Sequence, residues 1–176
     1  MDMTWNFSIR RQFGAAIDML DNALRACPDQ LWQARLYDER SADPRFAEFW
    51  YIGYHALFWL DFYLAASAEG FNPPAPFTMS EFDASLLPER VYTKAELHTY
   101  VKYARERCQA KLATLELELL PQQVRPDWPD MSVAELLLYN MGHVQEHASQ
   151  LSLFLGQRVG SAPVWVSRAQ IKPTDA

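Results

Sequence analysis

Apolar residues recur every three or four positions in four separate stretches of the chain, and this period predicts four helices. The first helix is expected from about Phe7 to Ala26, and the second from Pro44 to about Ser67. The third is expected from Thr93 to the segment that Pro121 ends, and the fourth from Ser132 to about Gly156. Four helices of this length predict an all-α fold, a four-helix bundle.

Polar residues at the predicted helix starts support these boundaries. Asp43 stands before Pro44, and a short acidic side chain followed by proline is typical of a helix N terminus. The third and fourth helices open with Thr93-Lys94-Ala95-Glu96 and Ser132-Val133-Ala134-Glu135. Both match the capping box, in which the hydroxyl and the carboxylate each accept a backbone N–H.

The longest connection, residues 68–92, bears on the topology. Antiparallel neighbours need a link of only about 2–8 residues, whereas this one could return along the whole bundle. We therefore predict an up-down-down-up arrangement with the second and third helices parallel, the alternative being a proline-rich loop that only decorates the surface. A chain of 176 residues favours one domain, here residues 1–157. A tail, 158–176, is expected to pack on the bundle or on a second subunit.

Charge and apolar content narrow the classes of partner. The net charge is -6, which argues against nucleic acids and anionic membranes as partners, since both select for basic surfaces. The most apolar run, Phe49–Leu60, is too short to span a bilayer, and the N terminus has no signal-peptide pattern. Cys27 and Cys108 are expected to be buried thiols in a reducing compartment. We expect a cytoplasmic protein.

Two of the four histidines, His143 and His147, stand four residues apart, so their imidazoles share one face of the fourth helix. His55 lies in the middle of the second helix, where nine aromatic residues fall between positions 46 and 63. Together the three side chains are candidate ligands of one divalent ion, with a position left open for a substrate. The alternative is a set of hydrogen-bonded core histidines. His98 has no such partner and is expected at the surface.

A protease motif overlaps this pair. His143-Val144-Gln145-Glu146-His147 fits H-x-x-E-H, the pattern of inverzincin metalloproteases in which the glutamate is the general base. Those enzymes need a further carboxylate ligand downstream, and the only acid after Glu146 is Asp175. We therefore reject the peptidase interpretation.

The segments Tyr54-His55 and 143–151, which reads HVQEHASQL, resemble the DinB/YfiT-like superfamily of bacterial four-helix bundles. The resemblance extends over about residues 7–156. It implies an up-down-down-up bundle, frequent homodimers, and nickel or zinc held by His55, His143 and His147. It also implies an option for chemistry with a low-molecular-weight thiol as cofactor, because characterised relatives include thiol-dependent transferases and isomerases.

Four further residues are candidates for the pocket or for support of the ligands. Tyr51 and Trp59 flank His55 by four residues on either side, with core packing as the alternative. Asn140, one turn before His143, either orients a substrate or bonds a neighbouring helix. Gln150, three residues after His147, is a candidate partner for an imidazole.

Two functions follow from these observations. The leading hypothesis is a metal-dependent enzyme that acts on a small molecule by thiol-dependent transfer or isomerisation, or by hydrolysis. The rival is a non-catalytic dimeric bundle with an interaction or regulatory role, favoured by the aromatic surplus and the apolar tail.

Overall fold

The computed structural model describes residues 5–38, 43–65, 69–124 and 130–170. Within these ranges the chain forms four long helices with short 3-10 turns between them and no β-strands beyond two isolated bridges. The helices are α1 Trp5–Ala26, α2 Phe49–Ala65, α3 Lys94–Ala113 and α4 Val133–Val159. The predicted all-α four-helix bundle is confirmed.

Helix α1 runs antiparallel to α3. Near its start, Asn6 Nδ2 donates to the Leu115 carbonyl just beyond the end of α3, over 2.7 Å. Two thirds of the way along α1, Asp18 pairs with Arg105 in the middle of α3. Residue numbers therefore rise along α1 in the direction in which they fall along α3.

Helix α2 runs antiparallel to α4. The Phe49 ring at the start of α2 lies 5.9 Å from the Phe154 ring near the end of α4. Further along α2, the Leu60 carbonyl accepts from Asn140 Nδ2 at 3.1 Å, and Asn140 belongs to the first half of α4.

Helix α2 runs parallel to α3, which completes the topology. Gly53 lies beside Leu97 in the first turns of the two helices, and Asp61 pairs with Arg107 towards their ends. The order is therefore up-down-down-up, as predicted, and α1 and α2 lie diagonally across the bundle. The long link of residues 69–92 returns the chain along the bundle between two parallel helices.

Both predicted capping boxes are present. Thr93 Oγ1 accepts the Glu96 N–H at 3.2 Å while the Glu96 carboxylate accepts the Thr93 N–H at 2.7 Å. Ser132 and Glu135 repeat the arrangement at 3.3 and 2.8 Å. Such boxes satisfy two of the N–H groups that a helix start leaves without a partner.

The second helix begins later than predicted. Asp43 accepts the Arg45 N–H and caps a separate 3-10 turn, Pro44–Ala47, after which Glu48 is extended. The helix cannot run through because residues 34–36 pair with this segment: Leu36 N–H donates to the Ala47 carbonyl at 2.8 Å. The predicted end at Ser67 lies outside the described residues.

The ends of α3 and α4 also differ from prediction. Helix α3 ends at Ala113, and the residues before Pro121 form a short 3-10 turn, Leu117–Leu119. Helix α4 continues past Gly156 to Val159, because Gly160 takes the left-handed conformation (φ 80°) that closes a helix and donates its N–H to the Gly156 carbonyl.

Burial follows the sequence pattern. Helix α2 is apolar nearly all round and is the most buried of the four, with Asp61 enclosed among its hydrophobic residues. Cys27 and Cys108 are buried free thiols, and burial raises their pKa values to about 11 and about 12. In the described parts of the chain, no helix combines the length and apolar character needed to cross a membrane.

The described part of the tail, residues 161–170, lies along α1. Gln12 Nε2 donates to the Ser167 carbonyl at 3.1 Å, and the Ala169 N–H donates to the Arg11 carbonyl at 3.0 Å. Ala169 is buried against Gly14 of α1, where a larger side chain would have no room.

Candidate metal centre

Three histidine side chains converge between α2 and α4. His55 projects from the middle of α2, and His143 and His147 lie one turn apart on the facing side of α4. The Nε2 atom of His143 lies 3.3 Å from Nε2 of His55 and 3.1 Å from Nε2 of His147. The structure thus brings together the three predicted ligands.

This spacing fits one divalent ion. Two nitrogens bound at about 2.0–2.1 Å lie about 2.9 Å apart at a right angle and about 3.4 Å apart at a tetrahedral angle. Both measured separations fall between these values. The three nitrogens are therefore compatible with one divalent ion bound by imidazole.

Hydrogen bonds on the far side of two rings set which nitrogen points inward. His55 Nδ1 lies 2.6 Å from Glu81 Oε2, and His147 Nδ1 lies 2.9 Å from Gln150 Oε1. Both oxygens accept, so each Nδ1 carries the proton and each Nε2 presents its lone pair to the centre. The amide nitrogen of Gln150 donates to Glu146, which agrees with this orientation of the amide.

The cluster is poorly explained as a set of hydrogen-bonded core histidines. With lone pairs on Nε2 of His55 and His147, the single proton available on Nε2 of His143 can serve only one of them. One ring nitrogen would then face another without a proton between them. A shared cation satisfies all three nitrogens.

Burial favours the neutral forms of His143 and His147, the forms in which imidazole binds a metal. The pKa of His143 is lowered to about 3, first by burial and then by His147 and His55. The pKa of His147 is lowered for the same reasons, burial first.

Glu81 is the functional residue that sequence reasoning missed. It lies on the 3-10 turn Met79–Phe82 of the long link, and its side chain is only 3% exposed. The same Oε2 atom that holds His55 also accepts the Trp59 indole N–H at 2.9 Å. Several acidic residues occupy this link, and nothing local separates Glu81 from Glu69 or Asp83.

A cleft of about 370 Å³ opens onto His55 and His147. Its walls include Tyr51 and Trp59, in the positions that their spacing from His55 suggested. The remaining lining residues are Tyr37, Phe46, Ile52, Glu81, Asp83 and Ala84. Burial, and then the negative charge of Glu81, raise the pKa of Tyr51, so its phenol stays neutral. The cleft is largely aromatic and of small-molecule size.

Comparison with protein families matches residues 12–151 to the DinB superfamily. The chain belongs to the DinB superfamily. The matched range contains all three histidines and confirms the resemblance drawn from the two histidine motifs. Neither curated proteins nor solved structures gave a significant match.

Three further predicted residues of this DinB-superfamily bundle lie on α3 and α4. Asn140 is fully buried and its amide nitrogen is committed to the Leu60 carbonyl, the helix-to-helix bond weighed as its alternative. Gln150 holds His147, as its spacing suggested. His98 lies outside the cluster and is partly buried, with Nε2 3.8 Å from Asp21 on α1, so the expectation of a plain surface position is wrong.

Three histidines of the DinB centre bring their ligand atoms within 4.8 Å of one another, and among the described residues no fourth histidine, cysteine or carboxylate joins that set. Three-ligand sites are typical of catalytic ions, whereas structural zinc sites are closed by four protein ligands. The arrangement can thus bind an ion on one side and accept a small molecule from the cleft on the other.

Proposed function

We propose that this DinB-superfamily protein is a metal-dependent enzyme that binds nickel or zinc through His55, His143 and His147 and acts on a small molecule in the cleft. One observation carries the proposal: three Nε2 atoms meet beside an open cleft that His55 and His147 line, and two of their rings are oriented by acceptors. The reaction that we propose is thiol-dependent transfer or isomerisation, or else hydrolysis.

When bound, a divalent ion supplies a Lewis acid that favours the thiolate form of a ligand thiol at neutral pH. The residues of the chain hold and shape the site. Glu81 fixes the His55 ring by accepting a hydrogen bond from its Nδ1–H, and Gln150 does the same for His147. Tyr51 and Trp59 form an aromatic part of the cleft wall on either side of His55.

The carboxylates of the cleft provide no uncommitted strong base for hydrolysis. Hydrolysis calls for a positioned base that takes a proton from water. Glu81 is committed to His55 and Trp59, and Ser85 lowers the pKa of Asp83, which makes that carboxylate a weaker base. A bound ion would lower the pKa of a water ligand and of a thiol ligand alike, so the metal would supply the activation in either reaction.

Metal analysis of protein purified without a histidine tag tests the proposal. We expect about one ion per chain after zinc or nickel supplementation, and loss of that ion in His143→Ala, because two ligands hold an ion weakly. His98→Ala is the matched control and should keep full occupancy. Less than about 0.2 ion per chain in the unaltered protein would overturn the metal site.

Activity is tested separately on the metal-loaded protein. We expect electrophilic small molecules to be consumed in the presence of a low-molecular-weight thiol, and His143→Ala to abolish this turnover. Consumption that depends on metal but not on thiol would favour hydrolysis instead.

A rival proposal, a non-catalytic homodimer with an interaction or regulatory role, is favoured by exposed apolar residues on the tail. Val164 is 79% and Trp165 72% exposed, and Leu153 on the neighbouring face of α4 is also exposed. Light scattering combined with chelation separates the two proposals. A dimer that keeps its stability without metal, and shows no turnover, would support the rival.

A further inference from the structure

A second cavity adjoins the metal cleft. It encloses about 420 Å³ and is lined by Arg35, Leu36, Tyr37, Asp38 and Arg158. Tyr37 also lines the cleft that opens onto His55 and His147. Tyr37 is therefore part of the wall of both spaces.

The segment that carries Arg35 is anchored at the start of α2. Leu36 N–H donates to the Ala47 carbonyl at 2.8 Å, and Phe49 N–H donates to the Ala34 carbonyl at 3.0 Å. These two bonds flank Arg35 in an isolated antiparallel bridge with Glu48. The backbone at Arg35 is thus held in place although its side chain is exposed.

Arg158 is held at the same end of the bundle. Its guanidinium lies 5.4 Å from the centre of the Phe154 ring, and that ring contacts Phe49 at 5.9 Å. Because Phe49 also bonds the segment of Arg35, one set of contacts positions both arginines. Both arginines line the same cavity.

The two arginines have no carboxylate partner among the described residues. In the described part of the chain, Arg45, Arg90, Arg105 and Arg107 all pair with carboxylates, while Arg35 and Arg158 form no ion pair. Asp38 is the single acidic residue among the described lining residues, so two guanidiniums face one carboxylate. The chain as a whole has a net charge of -6. This local excess of positive charge would attract and bind an anionic ligand.

We propose that the small molecule bound in the metal cleft carries an anionic group, a carboxylate or a phosphate, which Arg35 and Arg158 bind. This inference rests on the proposed function and specifies the class of its ligand.

The geometry limits the length of that ligand. His147 and Arg158 are eleven residues apart on α4, which is about 16 Å along the axis. The Arg158 side chain turns back over Phe154, so its guanidinium lies closer to the histidines than that. An extended tripeptide spans about 10 Å, which makes a small peptide-sized thiol of suitable length.

Calorimetric titration of the zinc-loaded full-length protein with three thiols tests the inference. Glutathione carries carboxylates, coenzyme A carries phosphates, and glutathione diethyl ester keeps the thiol but loses the carboxylate charge. We expect glutathione or coenzyme A to bind more tightly than the ester. If glutathione is the tighter of these two, the anionic group is a carboxylate, and if coenzyme A is the tighter, it is a phosphate. Arg35→Gln and Arg158→Gln should each weaken that thiol about 10-fold and leave both ester binding and zinc affinity unchanged.

Arg168→Gln removes an exposed arginine on the tail and serves as the matched control, with no expected effect. Arg158→Lys keeps the charge but loses the forked donor geometry, and should give an intermediate loss. The inference is overturned if no anionic thiol binds better than the ester, or if both glutamine variants bind it normally.

Failure of the metal site can be told apart from failure of the anion site. If zinc does not bind, the proposed function falls, and inorganic phosphate is then added to the metal-free protein. Shifts of the Arg35 and Arg158 Nε–H signals in nuclear magnetic resonance spectra would still support the anion site, and unchanged signals would overturn it.

Discussion

Glu81 shows how one side chain on a loop sets the chemistry of residues on two helices. Its carboxylate is buried and joins His55 to Trp59 through a single oxygen. A carboxyl partner of this kind fixes the orientation and the tautomer of the imidazole. At the residue scale, the metal centre therefore depends on a group that would not touch the ion.

We expect Glu81→Gln to weaken zinc binding by about 10- to 100-fold, the usual cost of losing such a partner. The amide keeps the shape of the side chain but not the charge. Competition titration with a coloured chelator measures the affinity. Asp83→Asn is the matched control, because it removes a neighbouring cleft carboxylate that accepts from Ser85 and not from a histidine. Equal affinity of the Glu81 variant and wild type would contradict this role.

At the scale of the elements, two glycines in helices α1 and α4 have opposite surroundings. A Cβ on Gly14 of α1 would lie 2.6 Å from Cβ of Ala169 on the tail, whereas a Cβ on Gly142 of α4 would meet nothing within 4 Å. The first glycine permits the tail to approach α1. The second only lowers the helix propensity of α4.

We expect Gly14→Ala to lower the free energy of unfolding by about 1–3 kcal/mol, since a packed contact is overfilled. Gly142→Ala should raise it by about 0.5–1 kcal/mol through helix propensity alone. Urea unfolding of the two variants provides the comparison. If both substitutions raised the free energy of unfolding, the contact between Gly14 and Ala169 would not be tightly packed.

Element boundaries illustrate which signals are local. The capping boxes at Thr93 and Ser132 act within four residues, and the structure contains both. The start of α2 depends on Ala34 and Leu36, which bond Phe49 and Ala47 from an earlier part of the chain. No pattern within the helix itself indicates that pairing. The helix start predicted at Pro44 was therefore wrong.

At the scale of the whole molecule, stability should depend on pH through Asp61, which is buried between α2 and α3. Burial raises its pKa from 3.8 to about 6, against the opposing effects of Arg107 and Tyr100. The folded state therefore holds the proton more tightly than the unfolded state. The stabilising contribution is full below pH 3.8 and is lost as the pH rises through about 6.

We expect wild type to lose up to about 3 kcal/mol of unfolding free energy relative to Asp61→Asn as the pH rises from about 4 to 7. The comparison with the variant cancels the other titrating groups. Urea unfolding at several pH values measures the difference. A constant difference between the two proteins over this range would contradict the assignment.

The sequence by itself determined the four helices, two of their starts and the family, because periodicity, capping residues and short motifs act over a few positions. It also placed His143 and His147 on one face, since a separation of four residues is one helical turn. Only the tertiary structure decided that Glu81 holds His55 and that Arg35 and Arg158 line one cavity. These pairs join residues separated by 26 and 123 positions, and such arrangements depend on how loops cross the packed helices, which no local pattern encodes.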